Sequence, residues 1–195
     1  MQIFLLARHA ESALNVQGRV NGDPAVPVDL TEVGEAEART LGTQLAHMPI
    51  DLCVHTRFTR TCETARIALE GRDVPFREEP RLDDIDVGDL EGELIAEYRA
   101  WKRQHTRHDP FPGGESLDAA ALRYADAFER LAAEGDGAGV LVVCHEIPIR
   151  YAINAAAGSS SLDGPVHNIG NAAPFIFEAD ALARAAEQIR TLVPD

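Results

Sequence analysis

The sequence predicts an α/β fold, a three-layer sandwich with a mostly parallel central sheet flanked by helices. Three observations predict it. Short apolar runs recur at 3–7, 50–54, 140–144 and 174–177, separated by stretches with helical spacing of apolar residues. That alternation builds parallel sheets with crossover helices. The run at 140–144 is apolar at every position, as a strand covered on both faces must be. Finally, the 195 residues suffice for a sizeable core and contain no repeat, low-complexity tract or linker, so 1–195 reads as one domain.

The first strand, 3–7, runs straight into Arg8 and His9. A polar loop over 15–30 follows, holding Asn15, Arg19, Asn21, Gly22, Pro24 and Pro27. Thr31 caps a helix with Glu32 and Glu35 in its first turn. Ala38, Leu41, Leu45 and Met48 form its apolar face, and Pro49 ends it. After the strand at 50–54, Phe58, Cys62, Ala65 and Leu69 mark a second helix, stopped by Gly71. Residues 74–76 read as a short edge strand. The stretch 81–113 is irregular, with a helix expected over 91–104. Ser116 starts a helix whose face is Leu117, Ala121, Tyr124, Phe128 and Leu131, broken by Gly135, Asp136 and Gly137. The central strand at 140–144 is followed by a helix that tolerates Pro148 in its first turn. A last strand spans 174–177, and 180–190 is helix-prone.

The formal net charge is −14, which argues against nucleic acid or an anionic membrane as partner. No apolar stretch approaches the ~20 residues of a membrane helix, and the start lacks the basic region of a signal peptide. Cys53, Cys62 and Cys144 sit in apolar segments without metal-ligand spacing, reading as reduced core thiols of a cytoplasmic protein. Any anionic substrate therefore needs positive charge gathered locally.

The topology gathers it. Parallel neighbours present their carboxyl ends at one edge, where ligands of open α/β sheets bind. The strands at 3–7 and 140–144 end in His9 and His145, and Arg57 and Arg60 follow the strand at 50–54. Two imidazoles and two or three guanidiniums thus meet at one edge. Phosphoryl transfer fits them. Arginines grip a phosphate dianion, a neutral imidazole attacks phosphorus, and a carboxylic acid protonates the leaving alkoxide. Asp83, Asp84 and Asp86 form an acidic cluster able to supply that acid.

Seven pieces, in order, resemble the histidine phosphatase superfamily, the phosphoglycerate-mutase-like proteins, in its branch of short bacterial phosphatases. They are Arg8-His9-Ala10-Glu11-Ser12 with Asn15; Leu30-Thr31 with Gly34; Thr56 to Ala65 around Arg60; Leu82 to Gly92 around Asp84; Pro112-Gly113-Gly114-Glu115-Ser116; Val143 to Arg150 around His145; and Asn171-Ala172. The resemblance spans 3–177. It implies His9 as the phosphorylated nucleophile, and Arg8, Arg60 and His145 as holders of the phosphoryl group. It puts Asn15 on the phosphate pocket and Asp84 in place of the superfamily's catalytic glutamate. It calls for no metal and no cofactor. Ala10 and Glu146 replace glycines of the motifs; a Glu146 pointing inward adds negative charge near the phosphate. Asp84 is a methylene shorter than glutamate, which leaves Asp86 or a water to share its role. Arg57 is no motif position and stands as a supporting candidate.

The resemblance also implies a lid over about 92–113. The segment 98–108 carries Arg99, Lys102, Arg103, His105, Arg107 and His108 around Trp101. Arg103 and Arg107 are the candidates for recognising an anionic remainder of the substrate. His47, His55 and His167 read as surface or capping residues, Asn171 as a minor candidate and Cys144 as a core thiol. The expected function is a metal-independent phosphatase acting on a small phosphate monoester through phospho-His9. A phosphoglycerate mutase, a protein phosphohistidine phosphatase and an inactive scaffold of the same fold remain open. The mutases of the family are longer in the lid, which favours hydrolysis. Oligomeric state is open between monomer and homodimer, with the tail at 180–190 free to pack on its own domain or on a second subunit.

Overall fold

The computed structural model describes residues 2–134, 137 and 139–193. In chain order the elements are β1 (Ile3–Arg8), α1 (Ala13–Val16), α2 (Glu32–Gln44), β2 (Leu52–His55), α3 (Thr59–Ala68), β3 (Phe76–Glu78), α4 (Ile95–Gln104), α5 (Leu117–Ala133), β4 (Gly139–Cys144), α6 (Glu146–Ala156), β5 (Pro174–Glu178) and α7 (Ala179–Leu192). Two 3₁₀ turns, Pro80–Leu82 and Gly88–Leu90, interrupt the stretch before α4.

The sheet order is β3-β2-β4-β1-β5, parallel throughout except for β5, which runs antiparallel to β1. Alternation along the strands divides the core into two layers. Phe4, Leu6, Val140, Val142 and Cys144 face α5, α6 and α7, where they meet Tyr124, Phe128, Ile149 and Leu182. Leu5, Ala7, Leu141, Val143 and Cys53 face α2 and α3, against Ala38, Leu41, Leu45 and Ala65. Burying each large apolar side chain contributes roughly 1.5–3 kcal/mol, so β1 and β4 are pinned from both sides. The expected three-layer α/β architecture is the observed one. The tail helix α7 packs on α5 and α6 of its own chain, burying Leu182, Ala185, Ala186 and Ile189.

Both expected caps are present. The Thr31 hydroxyl accepts from the Gly34 N–H at 3.0 Å and the Ser116 hydroxyl from the Ala119 N–H at 3.0 Å. Gly34 has a steric reason: a Cβ there would lie 2.0 Å from the Glu11 carbonyl oxygen. The first turn of α2 therefore presses on the loop that leaves β1, and only glycine permits it.

Several boundaries differ from the expectation. α2 ends at Gln44, before Pro49, because the Arg72 guanidinium takes the carbonyls of Leu45 and Met48 at 2.9 and 2.8 Å. The edge strand starts at Phe76 because Pro75 has no N–H to pair; its carbonyl accepts from Cys53 instead. α4 starts at Ile95, not 91. Gly92 has φ +74°, outside the helical region, and the Glu91 carboxylate is occupied with Asn21, Gly22 and Asp23. α1 falls in a stretch expected to be loop, and the break of α5 at Gly135 and Asp136 lies outside the described residues. No helix among the described residues is long and apolar enough to cross a membrane.

Candidate active site

β1 and β4 are direct neighbours with Arg8 in register with Cys144, and the His9 N–H donates to the Cys144 carbonyl at 2.9 Å. The two chain exits therefore point the same way, and the rings of His9 and His145 lie 5.4 Å apart between centroids. Both imidazoles are buried. His9 borders a cavity of about 460 Å³, the size of a small-ligand site, lined also by Arg8, Asn15, Arg60 and Asp84, while His145 lies behind its wall, joined to it through Arg60.

Arg60, from the first turn of α3, ties the site together. Its Nε donates to His9 Nε2 at 3.0 Å, and its Nη2 donates to His145 Nδ1 at 3.1 Å and Asp84 Oδ2 at 3.1 Å. Its other contacts are with Asn21: Nη1 donates to Asn21 Oδ1, and Nη2 to the Asn21 carbonyl at 3.1 Å. The guanidinium also lies 4.2 Å from the Phe58 ring centre. Nothing in the sequence marked Asn21 as more than a loop residue. Its role depends on a fold-back of 39 positions, and a polar residue in a Gly/Pro loop gives no signal of that.

The hydrogen bonds set the tautomers. His9 Nδ1 faces the Ala10 carbonyl at 2.8 Å, and a carbonyl only accepts, so Nδ1 carries the proton. Nε2 keeps its lone pair, the nitrogen that Arg60 addresses. His145 is the reverse: Nδ1 accepts from Arg60, and Nε2 donates to Thr56 Oγ1 at 3.0 Å. Burial, followed by Arg60, pushes both histidines well below the usual imidazole pKa, and Arg8 adds to it. Both rings are neutral at neutral pH. Asp84 moves the other way. Burial raises its carboxyl and Glu146 adds to the rise, against the opposing pull of Arg60 and Arg8.

The loop that carries Asp84 is held from two sides. Arg57 donates through its backbone N–H and its Nε to Asp83, at 3.0 and 2.6 Å. Arg123, on α5, reaches under the loop to the carbonyls of Arg81 and Asp83 at 2.9 and 3.0 Å and of Asp84 at 3.3 Å, and pairs with Glu115. Arg57 is thus a buttress of the acidic loop; it does not line the cavity that His9 borders. Arg123 carried no sequence signal, being one charged position on an amphipathic helix. Asp86 is exposed and accepts from the Gly88 N–H; it faces a separate cavity. Of the two aspartates considered for the acid, only Asp84 borders the cavity with His9.

Arg8 donates to the Ile169 carbonyl at 2.9 Å and meets Glu146 at 3.2 Å, so the Glu146 side chain points inward. Asn15 lines the cavity while its Oδ1 accepts from the Ser12 N–H and hydroxyl at 3.1 and 3.0 Å. Burial raises the Cys144 thiol, which is a protonated core group beside His145.

On the α4 side, Arg103 lines the cavity together with Arg99 and Lys102, and Arg107 does not. Two carboxylates hold Arg107 away: Asp118 at 3.0 Å and Asp163 at 2.5 Å. Of the two arginines expected to face the substrate, Arg103 therefore borders the cavity and Arg107 does not, while Arg99 and Lys102 border it as well. No carboxylate among the described residues pairs with Arg99, Lys102 or Arg103, which is the local positive charge an acidic chain needs. His167, expected to be a surface residue, is exposed and also borders the cavity. Asn171 does not line it.

The model of the histidine phosphatase superfamily (branch 1) matches residues 4–189. An adenosylcobalamin/α-ribazole phosphatase of Salmonella typhimurium is 36% identical over 149 residues, 72% of each chain. A 2,3-bisphosphoglycerate-dependent phosphoglycerate mutase 2 of Gloeobacter violaceus is 35% identical over 77% of this chain and 73% of its own. Among solved structures, the α-ribazole phosphatase of Shigella flexneri superposes with a TM-score of 0.79 at 25% identity, over 89% of both chains. On this match across almost its whole length, the chain belongs to branch 1 of the histidine phosphatase superfamily.

Proposed function

We propose that this protein hydrolyses a small phosphate monoester through a phosphohistidine on His9. The observation that carries the reading is Arg60, whose one guanidinium touches His9 Nε2, His145 Nδ1 and Asp84 Oδ2. A nucleophile, a second imidazole that orients the guanidinium, and an acid are thereby preorganised around one cation, and such preorganisation supplies most of the catalysis in phosphoryl transfer.

The steps follow from the protonation states. The phosphoryl group binds between Arg8, Arg60 and His9, with Asn15 at its edge, and His145 acts from behind by orienting the Arg60 guanidinium. As the phosphoryl oxygens take over the Arg60 N–H donors, Arg60 releases His9 Nε2; its freed lone pair attacks phosphorus and the bond from phosphorus to the ester oxygen breaks. The departing alkoxide takes a proton from Asp84, whose carboxyl is shifted by burial towards the protonated form. Asp84, now a carboxylate, takes a proton from water. The resulting hydroxide attacks phosphorus, the P–N bond breaks, and inorganic phosphate leaves neutral His9 behind. The segment around α4 acts as a lid, and Arg99, Lys102 and Arg103 attract the anionic substrate against the overall charge of −14.

Mutase chemistry is the second reading, favoured by the likeness to the Gloeobacter enzyme. It requires the phosphoenzyme to outlive attack by water. Incubation with p-nitrophenyl phosphate in excess chelator tests the first reading. Release of phosphate by the intact protein and none by His9→Ala is expected. An active His9→Ala, or loss of activity with chelator, contradicts the mechanism.

A further inference from the structure

Glu146 is out of keeping with its surroundings. It follows His145 directly, where the superfamily motif carries glycine, and its carboxylate borders a cavity otherwise built for anions. An acid in the first turn of a helix is common because it offsets the helix dipole, yet a side chain turned to solvent does that equally well. This one turns inward. It meets Arg8 at 3.2 Å and Arg150 at 3.7 Å, and among the described residues neither of its oxygens accepts a hydrogen bond. Arg150 is itself held by Asp163 at 3.0 Å. The carboxylate also acts against phosphate binding, because it occupies Arg8 and repels a dianion. In the free protein Arg8 and Arg150 offset that charge; once a phosphate draws Arg8 to itself, Glu146 Oε2 loses its nearer partner, and a donor on the ligand can replace it.

We propose that Glu146 is a specificity-determining residue. Its carboxylate accepts a hydrogen bond from a hydroxyl or ammonium group that the alcohol part of the phosphate ester carries close to the ester oxygen. This rests on the phosphatase reading of the cavity. The phosphoryl group lies against Arg8 and competes with Glu146 for it, and the alcohol part leaves towards the cavity that Glu146 borders. A ligand donor there gives the carboxylate a hydrogen bond in place of Arg8, while an alkyl group of the same size displaces water from it and leaves it only the longer contact with Arg150.

The test compares kcat/KM for 2-hydroxyethyl phosphate, 2-aminoethyl phosphate and propyl phosphate, which are nearly equal in size. A charge-assisted hydrogen bond predicts that at least one donor-bearing ester exceeds propyl phosphate by about 10-fold or more in the intact protein. In Glu146→Gly the ratio falls to within about 2-fold, since the acceptor is gone. Glu146→Gln keeps a hydroxyl preference and loses an ammonium preference, which a purely structural role would not produce. Equal kcat/KM for the three esters, or a ratio unchanged in Glu146→Gly, overturns the assignment. Hydrolysis of p-nitrophenyl phosphate and its loss in His9→Ala report on the phosphatase reading separately. If no ester turns over, calorimetric titration of the same three esters into the intact protein and Glu146→Gly reads the same ratio as dissociation constants, and equal constants overturn it.

Discussion

Replacing Arg60 by lysine keeps the charge and removes the fork. Arg60 is buried, at 3% exposure, and its three nitrogens donate to His9 Nε2, His145 Nδ1, Asp84 Oδ2 and both the side chain and the carbonyl of Asn21. A single ammonium has three donors at one point and cannot reach acceptors spread over four residues. At least two of them lose their partner, and each charge-assisted hydrogen bond is worth about 1.5–3 kcal/mol. If both losses act on the transition state, the barrier rises by roughly 3–6 kcal/mol, a fall in kcat/KM of about 10²–10⁴. Steady-state turnover of p-nitrophenyl phosphate by Arg60→Lys measures it, with thermal unfolding to show that the variant is folded. A folded Arg60→Lys within about 5-fold of the parent would refute the view that geometry, and not charge alone, makes Arg60 the centre of the site.

Four further outcomes are expected. Asp84→Asn should slow hydrolysis of alkyl phosphates by about 10²–10³-fold and that of p-nitrophenyl phosphate much less, because a phenolate of low pKa needs no proton; comparing the two esters checks this. The rate should follow a bell in pH: it falls on the acid side as His9 takes up a proton, below the usual imidazole pKa, and on the alkaline side as Asp84 loses one, above the usual carboxyl value. Stability should decline as pH drops from about 6.5 towards those depressed values, because the unfolded chain binds the protons that buried His9 and His145 refuse; urea unfolding against pH reads this, and His145→Asn should flatten the slope. Finally, Arg123→Met should orphan the carbonyls under the acidic loop and lower kcat by about 10-fold with KM little changed, shifting the alkaline limb of the bell, while a change in KM alone would contradict its positioning role.

Much of the site was legible because it is a matter of topology. β1 and β4 read as strands from composition alone, and parallel neighbours necessarily expose their ends together, so His9 and His145 could be paired before any coordinate was known. Arg60 followed because one turn separates it from the end of β2. What the sequence hid was contact made by loops. Asn21 meets Arg60 only because the loop after α1 folds back over α3. Arg123 looks like any exposed charge on an amphipathic helix until the acidic loop is laid across it. Arg107 and Arg103 were equivalent on paper, four residues apart in one basic segment, and only Asp118 and Asp163 on other elements distinguish them. The end of α2 shows the same limit: Pro49 was the visible breaker, but Arg72, from beyond α3, ends the helix earlier.

Rapid chemical quench with a ³²P-labelled phosphate ester, followed by alkaline peptide mapping, addresses the central claim most directly. A burst of label that is stable to alkali, lost in acid and carried by the peptide containing His9 is the expected result, with no burst in His9→Ala and slower decay of the label in Asp84→Asn. Label on another residue, or rapid turnover by a protein that never carries phosphate on His9, would contradict it.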